Sequence, residues 1–245
     1  MVTTTNRPRL RVPQRLSCAT CRCRHASEWH VLTDEQVGYM DRNKSVLLYR
    51  AGTMLHQEGN PVTGLFSLEE GTVGMRVTNE DGHALLLELA FPGQLLGYRA
   101  YFNQGTHDES AVALEDCVVC HIDRRIVAEL LRDNPALAPQ FLKRLAVDVK
   151  TMAHKLAECS WLSVHSRLCK LLVELVEHFG GNEQNGGIHI TPPLTRQDYA
   201  ELLGVRTETA ARAFRTLEDE GLIRMQRRTV TIPDMHRLME HAGQD

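Results

Sequence analysis

Two features of membrane and exported proteins are missing from this sequence of 245 residues. No stretch approaches the roughly 18 apolar residues that a transmembrane helix requires, and the first 20 residues lack the apolar block of a secretory signal. We therefore expect a soluble, cytoplasmic protein with no membrane partner. An apolar fraction of 42% is ample for buried cores, and the length favours two domains.

The sequence also lacks an excess of positive charge. Its formal net charge is −3, whereas the phosphate backbone of a nucleic acid attracts a concentrated basic face. Any DNA-binding surface must therefore be confined to a small part of the chain.

Short apolar runs separated by glycines fill the segment 47–122. The runs 65–68, 73–77 and 84–89 are too short for helices, and turn-forming residues such as those at 79–82 bound them. This pattern predicts antiparallel strands in a sandwich or barrel.

Beyond Asp123 the apolar residues recur at intervals of three and four, which is the spacing of a helix. They form an a/d seam of about two heptads with charged residues on the other faces. The seam predicts a parallel dimerisation helix, and the alternative is a helix that packs on its own domain. The predicted interface residues are Leu142, Leu145, Val149, Met152 and Leu156. A second amphipathic helix is predicted over 164–179, ending at Gly180.

Two short helices joined by a tight turn are predicted near the C-terminus. Thr195 is a natural N-cap, with Asp198 three residues later. Gly204 ends the first helix, and the second begins at the cap residue Thr207 and runs to Gly221. This is the plan of a helix-turn-helix.

A predicted β-hairpin follows these helices. The runs 222–224 and 229–232 favour strands around the basic tip 226–228, which is typical of a wing. Arginines supply the local cationic face that the net charge conceals. An ordinary helical subdomain with solvated charges is the alternative.

Glu208 and Arg212 are four residues apart and so project from one face of the second helix. A carboxylate can accept a hydrogen bond from cytosine N4, and a guanidinium can donate twice to guanine O6 and N7. The pair could therefore read adjacent base pairs. The same spacing also permits an intrahelical ion pair.

The seven cysteines are unevenly placed. In a reducing compartment such clustering favours metal or redox chemistry over a disulfide framework. They are Cys18, Cys21, Cys23, Cys117, Cys120, Cys159 and Cys169. A thiol- or cluster-based redox enzyme is a competing function, but no nucleophile–base set or nucleotide-binding glycine motif is present, so we expect a protein that is not an enzyme.

The order of these elements resembles the CRP/FNR family along nearly the whole chain. The specific motifs are 92–97, the Ala-Leu-Glu at 113–115 leading to Cys120, and the Glu-x-x-x-Arg within 205–212. The resemblance implies an α+β fold with an N-terminal β-roll sensor domain, a long dimerisation helix and a C-terminal winged helix-turn-helix. The implied domains are residues 1–29 (an arm with the cysteine motif), 30–125 (the β-roll), 126–160 (the dimerisation helix) and 161–245 (the DNA-binding domain).

The same resemblance implies a homodimeric transcription regulator, an activator in many members, that works with RNA polymerase. It implies binding to palindromic double-stranded DNA with TGA-like half-sites. Ala211 stands where oxygen-sensing members usually carry Ser. The implied DNA-binding residues are Arg206, Thr207, Glu208, Ala211, Arg212, Arg227 and Arg228.

Cyclic AMP is not expected as the signal. In the cyclic-AMP branch of the family, a Glu binds the ribose and an Arg-Ser binds the cyclic phosphate. Tyr98, Glu109 and Ser110 stand in those places here. A carboxylate repels a phosphate anion, and the sequence suggests no compensating arginine nearby.

The cysteine layout is similar to the FNR branch, in which four cysteines hold a [4Fe-4S] cluster that oxygen destroys. The implied ligands are Cys18, Cys21, Cys23 and Cys120, with Cys117 as an alternative. The family places its third ligand five or seven residues after the second, and Trp29 occupies the longer spacing here. Arg22 and Arg24 would offset part of the negative charge of the thiolates. A thiol–disulfide or zinc site, a haem or nitric oxide signal and a small-molecule signal remain alternatives.

Oxygen-responsive relatives place a carboxylate in the dimer seam, which keeps the cluster-free form monomeric. Met152 stands at that position here, with Asp148 one turn earlier. The resemblance therefore implies that the dimer persists without a cluster.

Overall fold

The computed structural model describes residues 16–180, 182–183 and 187–243. Residues 1–15 of the predicted N-terminal arm (1–29) lie outside this range. The chain divides into two compact units. The first unit consists of the described residues up to Met75 together with Leu89–Lys143. The second unit consists of Arg76–Glu88 together with the described residues from Arg144 onward.

The first unit begins with short helices. These are α1 (Arg22–Ala26), a 3₁₀ turn (Glu28–Val31) and α2 (Asp34–Asn43). The hydroxyl of Thr33 and the side chain of Gln36 form a reciprocal capping box that starts α2. Trp29 is buried and packs edge-on against Phe141, with 5.7 Å between the ring centroids. The indole therefore belongs to the core.

Eight strands follow, and the structure confirms the predicted β-roll. They are β1 (Ser45–Tyr49), β2 (Met54–His56), β3 (Gly64–Glu70), β4 (Val73–Thr78), β5 (Ala84–Ala90), β6 (Leu95–Leu96), β7 (Ser110–Ala113) and β8 (Cys117–Asp123), with α3 (Tyr98–Phe102) between β6 and β7. They form two four-stranded sheets with the orders β1-β8-β3-β6 and β2-β7-β4-β5.

Alternate residues of β3 and β8 face a common apolar core. Phe66 and Leu68 on β3 and Cys117 and Val119 on β8 are all buried in it, together with residues of the other sheet. Because side chains alternate along a strand, Cys120 projects from the opposite face of its sheet.

A long helix is present, as predicted, but it begins at Leu137 rather than near residue 126, because Asn134 in an extended conformation ends the preceding helix. After α4 (Arg124–Asp133), α5 runs for 25 residues over Leu137–Trp161. Leu137 and Phe141 near its start are buried, whereas large apolar side chains further along are exposed to solvent in the single chain.

The second unit contains the predicted helix-turn-helix. Its further elements are α6 (Val164–Phe179), β9 (Asn182–Glu183), β10 (Ile188–Ile190), α7 (Arg196–Leu203), α8 (Thr207–Asp219), β11 (Arg224–Gln226), β12 (Thr229–Ile232) and α9 (Met235–Ala242). The strands form one sheet with the order β11-β12-β10-β9. The bounds of α6 are those that the sequence predicts, because Ser163 caps it and Gly180 ends it in a left-handed conformation. Among the described residues, no helix is both long and apolar enough to cross a membrane.

Candidate nucleic-acid interface and cysteine cluster

A tight turn joins α7 to α8. Thr195 and Asp198 form the predicted capping box at the start of α7, and Gly204 follows it with φ of 64°. The structure differs from the prediction at the start of α8, where Arg206 is the N-cap and Thr207 is the first helical residue. Arg206 makes no side-chain cap hydrogen bond, so the first amides of α8 keep their capacity to bind an anion.

Helix α8 has one buried and one exposed face. Ala210, Ala213, Phe214 and Leu217 are buried at helical spacing, which fixes the rotation of the helix. The opposite face carries the exposed predicted base-reading residues Glu208 and Arg212. The other predicted contacts on this face are the exposed Arg206 and Thr207 and the half-buried Ala211.

Glu208 and Arg212 lie on the same exposed face, as the spacing predicts. The Nε of Arg212 donates to the backbone carbonyl of Glu208 at 3.5 Å. The acceptor of this hydrogen bond is the main chain of Glu208 and not its carboxylate. Carboxylate and guanidinium are therefore both presented to solvent near the N-terminus of α8.

Strands β11 and β12 form the predicted wing, although β11 begins two residues later than expected because the amides of Leu222 and Ile223 donate to the Leu217 carbonyl of α8. Gln226 pairs with Thr229, so Arg227 and Arg228 make a two-residue turn. Arg227 adopts a positive φ of 57°, and both arginines are exposed. The wing tip thus carries two adjacent cations.

Helix α7 is held by an arginine that sequence analysis missed. The Arg76 guanidinium donates to Asp198 and to Glu201, and the three side chains are 18%, 9% and 7% exposed. Only the folded chain brings these residues together, because more than 120 positions separate Arg76 from either carboxylate.

The register of β8 separates the two cysteines that it carries. Cys120 pairs with Val46 of β1 and with Ser67 of β3. Cys117 lies in the apolar core instead, where its thiol donates to the carbonyls of Glu115 and Thr72 at 3.2 and 3.4 Å. The two cysteines are three residues apart and therefore project from opposite faces of the strand.

Cys18 is buried beside a buried lysine. The Nζ of Lys44 lies 2.9 Å from the Cys18 sulfur and 2.9 Å from Asp41, whose carboxylate also accepts from the Cys18 amide. Burial raises the pKa of the Cys18 thiol to about 11, and the ammonium of Lys44 opposes that rise. Lys44 is thus the cation that contacts the thiol, whereas Arg24 donates to the Cys18 carbonyl.

Cys21 and Cys23 share their site with a glutamate. The two sulfurs and a carboxylate oxygen of Glu69 all lie within 4.8 Å of one another, and the Cys21 thiol donates to Glu69 at 2.9 Å. A hydrogen bond between the two cysteines lowers the pKa of Cys21 and raises that of Cys23. Glu69 lies two residues after Ser67, the β3 partner of Cys120.

Cys120 joins the same group. Burial raises the pKa of its thiol to about 12, and the nearby charge of Glu69 and the thiols of Cys18 and Cys21 act in the same direction, whereas Lys44 opposes them. The structure therefore gathers Cys18, Cys21, Cys23 and Cys120 on one side of the sheet and leaves Cys117 on the other.

Space for a bound group exists next to these thiols. A pocket of about 540 Å³ is lined by Cys21, Cys23, Glu69 and neighbouring residues. Cys21 and Cys23 thus open on this pocket, whereas Cys18 and Cys120 are buried outside its lining. Soft sulfur donors grouped in this way fit an iron–sulfur cluster. Glu69 and Lys44 are the members of the site that sequence reasoning missed. The alternation of β3 could have indicated Glu69, but no local pattern marks Lys44.

One argument against cyclic AMP was wrong. Arg99 donates to both carboxylate oxygens of Glu109 at 2.6 and 2.8 Å, so a compensating arginine does lie beside this carboxylate. Tyr98 is buried, and the Ser110 hydroxyl accepts from the Glu58 amide. The negative charge of Glu109 is therefore locally neutralised.

Comparison with known proteins identifies both units. Residues 46–134 match the cyclic nucleotide-binding domain, and residues 166–241 match the Crp-like helix-turn-helix domain. The chain is 28% identical over 191 residues to the CRP-like cAMP-activated global transcriptional regulator of Mycobacterium tuberculosis, covering 78% of this chain and 85% of that protein. It is 25% identical over 210 residues to the anaerobic regulatory protein of Pasteurella multocida, covering 86% of this chain and 75% of that protein.

The fold is also that of a solved structure. FixK2 from Bradyrhizobium japonicum superimposes with a TM-score of 0.72 at 18% identity, over 82% of this chain and 98% of that one. The same architecture, a cyclic nucleotide-binding domain followed by a Crp-like helix-turn-helix, is indicated by the domain matches, and the relatives and the fold agree with it. The chain therefore belongs to the CRP/FNR family, whose members are transcription regulators and not enzymes.

Proposed function

We propose that this protein is a homodimeric transcription regulator that responds to oxygen or redox state and reads palindromic DNA with TGA-like half-sites. RNA polymerase is its expected protein partner. The observation that carries the redox part is that Cys120 lies on the same face of its sheet as Glu69, which groups with Cys21 and Cys23. Cys18 lies beside Lys44, whose charge acts on both Cys18 and Cys120. The name of the Pasteurella multocida relative, anaerobic regulatory protein, agrees with a redox signal.

The proposed base readers are Glu208 and Arg212, because both are exposed near the N-terminus of α8. The first turn of α8 offers uncapped amides and Arg206 to phosphates. Arg227 and Arg228 at the wing tip would contact the phosphate backbone of the DNA. Binding should therefore weaken steeply as the salt concentration rises.

DNA binding is tested by titrating the protein against a palindromic TGA duplex and a scrambled duplex at several salt concentrations. We expect tighter binding to the palindrome. Arg227→Ala should lower the affinity for both duplexes, since it removes a phosphate contact. Equal affinity for the two duplexes would contradict specific readout.

The proposed dimer interface is the exposed stripe of α5. Leu142, Val149, Met152 and Leu156 are 69%, 68%, 48% and 73% exposed in the single chain, and Leu145 is half-buried. When a second copy covers large apolar side chains at this spacing, their burial lowers the free energy and so favours the dimer. Met152 adds an apolar contact where relatives carry a carboxylate, so we expect a dimer without a cluster.

For the sensor, we propose that Cys18, Cys21, Cys23 and Cys120 hold a [4Fe-4S] cluster. The chemistry that such a cluster supplies when bound is its lability to oxygen and nitric oxide. Lys44 stabilises the anionic form of the Cys18 sulfur by its charge. A cluster shared with Cys120 would add a link between the N-terminal cysteines and β8 to the contacts with Glu69 and Asp41 that already hold this segment.

The test of the sensor is anaerobic purification with a visible spectrum, iron and sulfide counts, and DNA binding before and after exposure to air. Cys23→Ala should lose iron, sulfide and air sensitivity. Cys117→Ala is the matched control and should retain all three, because Cys117 faces the apolar core. A colourless, iron-free protein that binds DNA equally with and without air would eliminate the cluster.

A mononuclear metal site is a second candidate, favoured by the closeness of Cys21, Cys23 and Glu69. Two thiolates and a carboxylate are suitable ligands for zinc. This alternative predicts zinc without sulfide, and loss of that zinc in Glu69→Gln. The metal and sulfide counts of the purified protein therefore distinguish the two candidates.

A further inference from the structure

The second unit carries a group of metal-ligating side chains at the end of α8 opposite to Arg206. His165 lies in the first turn of α6, Glu220 is the C-cap of α8, and His241 lies in the last turn of α9. One nitrogen of each imidazole and a carboxylate oxygen of Glu220 all lie within 4.8 Å of one another. Three helices thus bring three ligands to one point.

The His165 imidazole faces this point with a buried nitrogen. Its Nε2 has no hydrogen-bond partner among the residues that the structure describes, although it lies 3.5 Å from Glu220 Oε2. The rings of His165 and His241 are 5.6 Å apart. A buried nitrogen without a donor or acceptor is costly unless another group binds it.

Hydrogen bonds that do not involve the ligand side chains fix the positions of the three ligands. The Glu220 amide donates to the Thr216 carbonyl, and the Glu220 carbonyl accepts from Arg237 of α9 at 3.0 Å. Asp234 caps the start of α9, and Ser163 caps α6 beside His165. The helix ends are therefore held together independently of the ligand side chains.

We propose that His165, Glu220 and His241 form a binding site for a divalent transition-metal ion of the zinc type. Two neutral imidazoles and a carboxylate suit this ion, and three protein ligands leave a fourth position for water. Ligand atoms around tetrahedral zinc are about 3.3 Å apart. Glu220, with a side chain 39% exposed, and His241 near the end of its helix have the freedom to close the remaining distance.

Ion binding would join the ends of α6, α8 and α9 and so stabilise the helix-turn-helix unit, because a metal that binds only the folded state shifts the folding equilibrium. The site shares no residue with the proposed cysteine sensor. Its existence therefore does not depend on whether that sensor binds a cluster.

The first test is the zinc stoichiometry of the full-length chain after equilibration with zinc chloride and gel filtration. The native protein and the control His236→Ala should hold one zinc more than His165→Ala and His241→Ala. His236 lies on the same helix as His241 but is 86% exposed and pairs with Glu240. The difference between variants reports this site alone, since all four chains keep the same cysteines.

The second test measures affinity and stability with Cys18, Cys21 and Cys23 replaced by Ser. Zinc should raise the melting temperature by about 5 °C or more at a hundredfold excess over Kd, and Glu220→Gln should weaken binding by about tenfold or more. Circular dichroism in chelator checks that each variant is folded. Equal zinc content and equal melting shifts in native, His165→Ala and His241→Ala chains would overturn the proposal.

Discussion

A buried histidine should make the first unit sensitive to acid. His56 at the end of β2 is 8% exposed and stacks on His107, with 3.8 Å between ring centroids and 13° between ring planes. Burial, and secondarily the repulsion from His107 and Arg99, lower the pKa of His56 from 6.5 to about 3, although a backbone contact with Glu109 opposes the shift. The folded protein thus holds His56 neutral at a pH at which the unfolded chain protonates it.

The sign and size of the effect follow from this difference. Because the folded pKa lies below the unfolded one, the stability that neutral His56 contributes is complete above pH 6.5 and is lost as the pH falls from 6.5 towards 3. Between about pH 7.5 and about pH 5.5 the loss is about 1.4 kcal/mol. Burial also lowers the pKa of His107, so its contribution has the same sign.

Urea unfolding at the two pH values provides the assay. Trp29 is 1% exposed in the same unit and Trp161 is 77% exposed, so a Trp161→Phe background makes fluorescence report on the first unit. His56→Leu should remove about 1.4 kcal/mol of the pH-dependent loss, whereas the exposed control His25→Leu should behave as the parent. An equal loss of stability in parent and His56→Leu would refute the reasoning.

Three further substitutions test other contacts. Arg76→Ala leaves two buried carboxylates of α7 unpaired and should lower the free energy of unfolding of the second unit by about 3 kcal/mol; in thermal melts Arg50→Ala, which breaks a solvent-exposed pair, should have no measurable effect. Met152→Asp places a charge in the proposed dimer seam and should yield monomers in light scattering, whereas Lys150→Asp should remain dimeric; a dimeric Met152→Asp protein would place the interface elsewhere. Arg212→Ala should weaken binding to the palindromic duplex by about 1–3 kcal/mol and relax discrimination at one base pair; an unchanged preference in a gel-shift titration would remove Arg212 from the base readers.

Local chemistry was enough to predict the order and type of most elements. The bounds of α6 and the start of α7 follow from caps and glycines, which act within a few residues of the helix ends. The strands β3, β4 and β5 follow from short apolar runs bounded by turns. Even so, the predicted N-cap of α8 was wrong by one residue: the sequence suggested Thr207, whereas Arg206 is the N-cap in the structure.

The sequence by itself also determined which residues could carry chemistry: clustered cysteines, and a Glu–Arg pair on one helical face. Only the tertiary structure decided how they are grouped. Strand register placed Cys120 with the N-terminal cysteines and Cys117 in the core. The physical reason is that the partners at each site come from distant segments, as Lys44 does beside Cys18 and Glu220 does beside His165, and such contacts exist only once sheets and helices have packed.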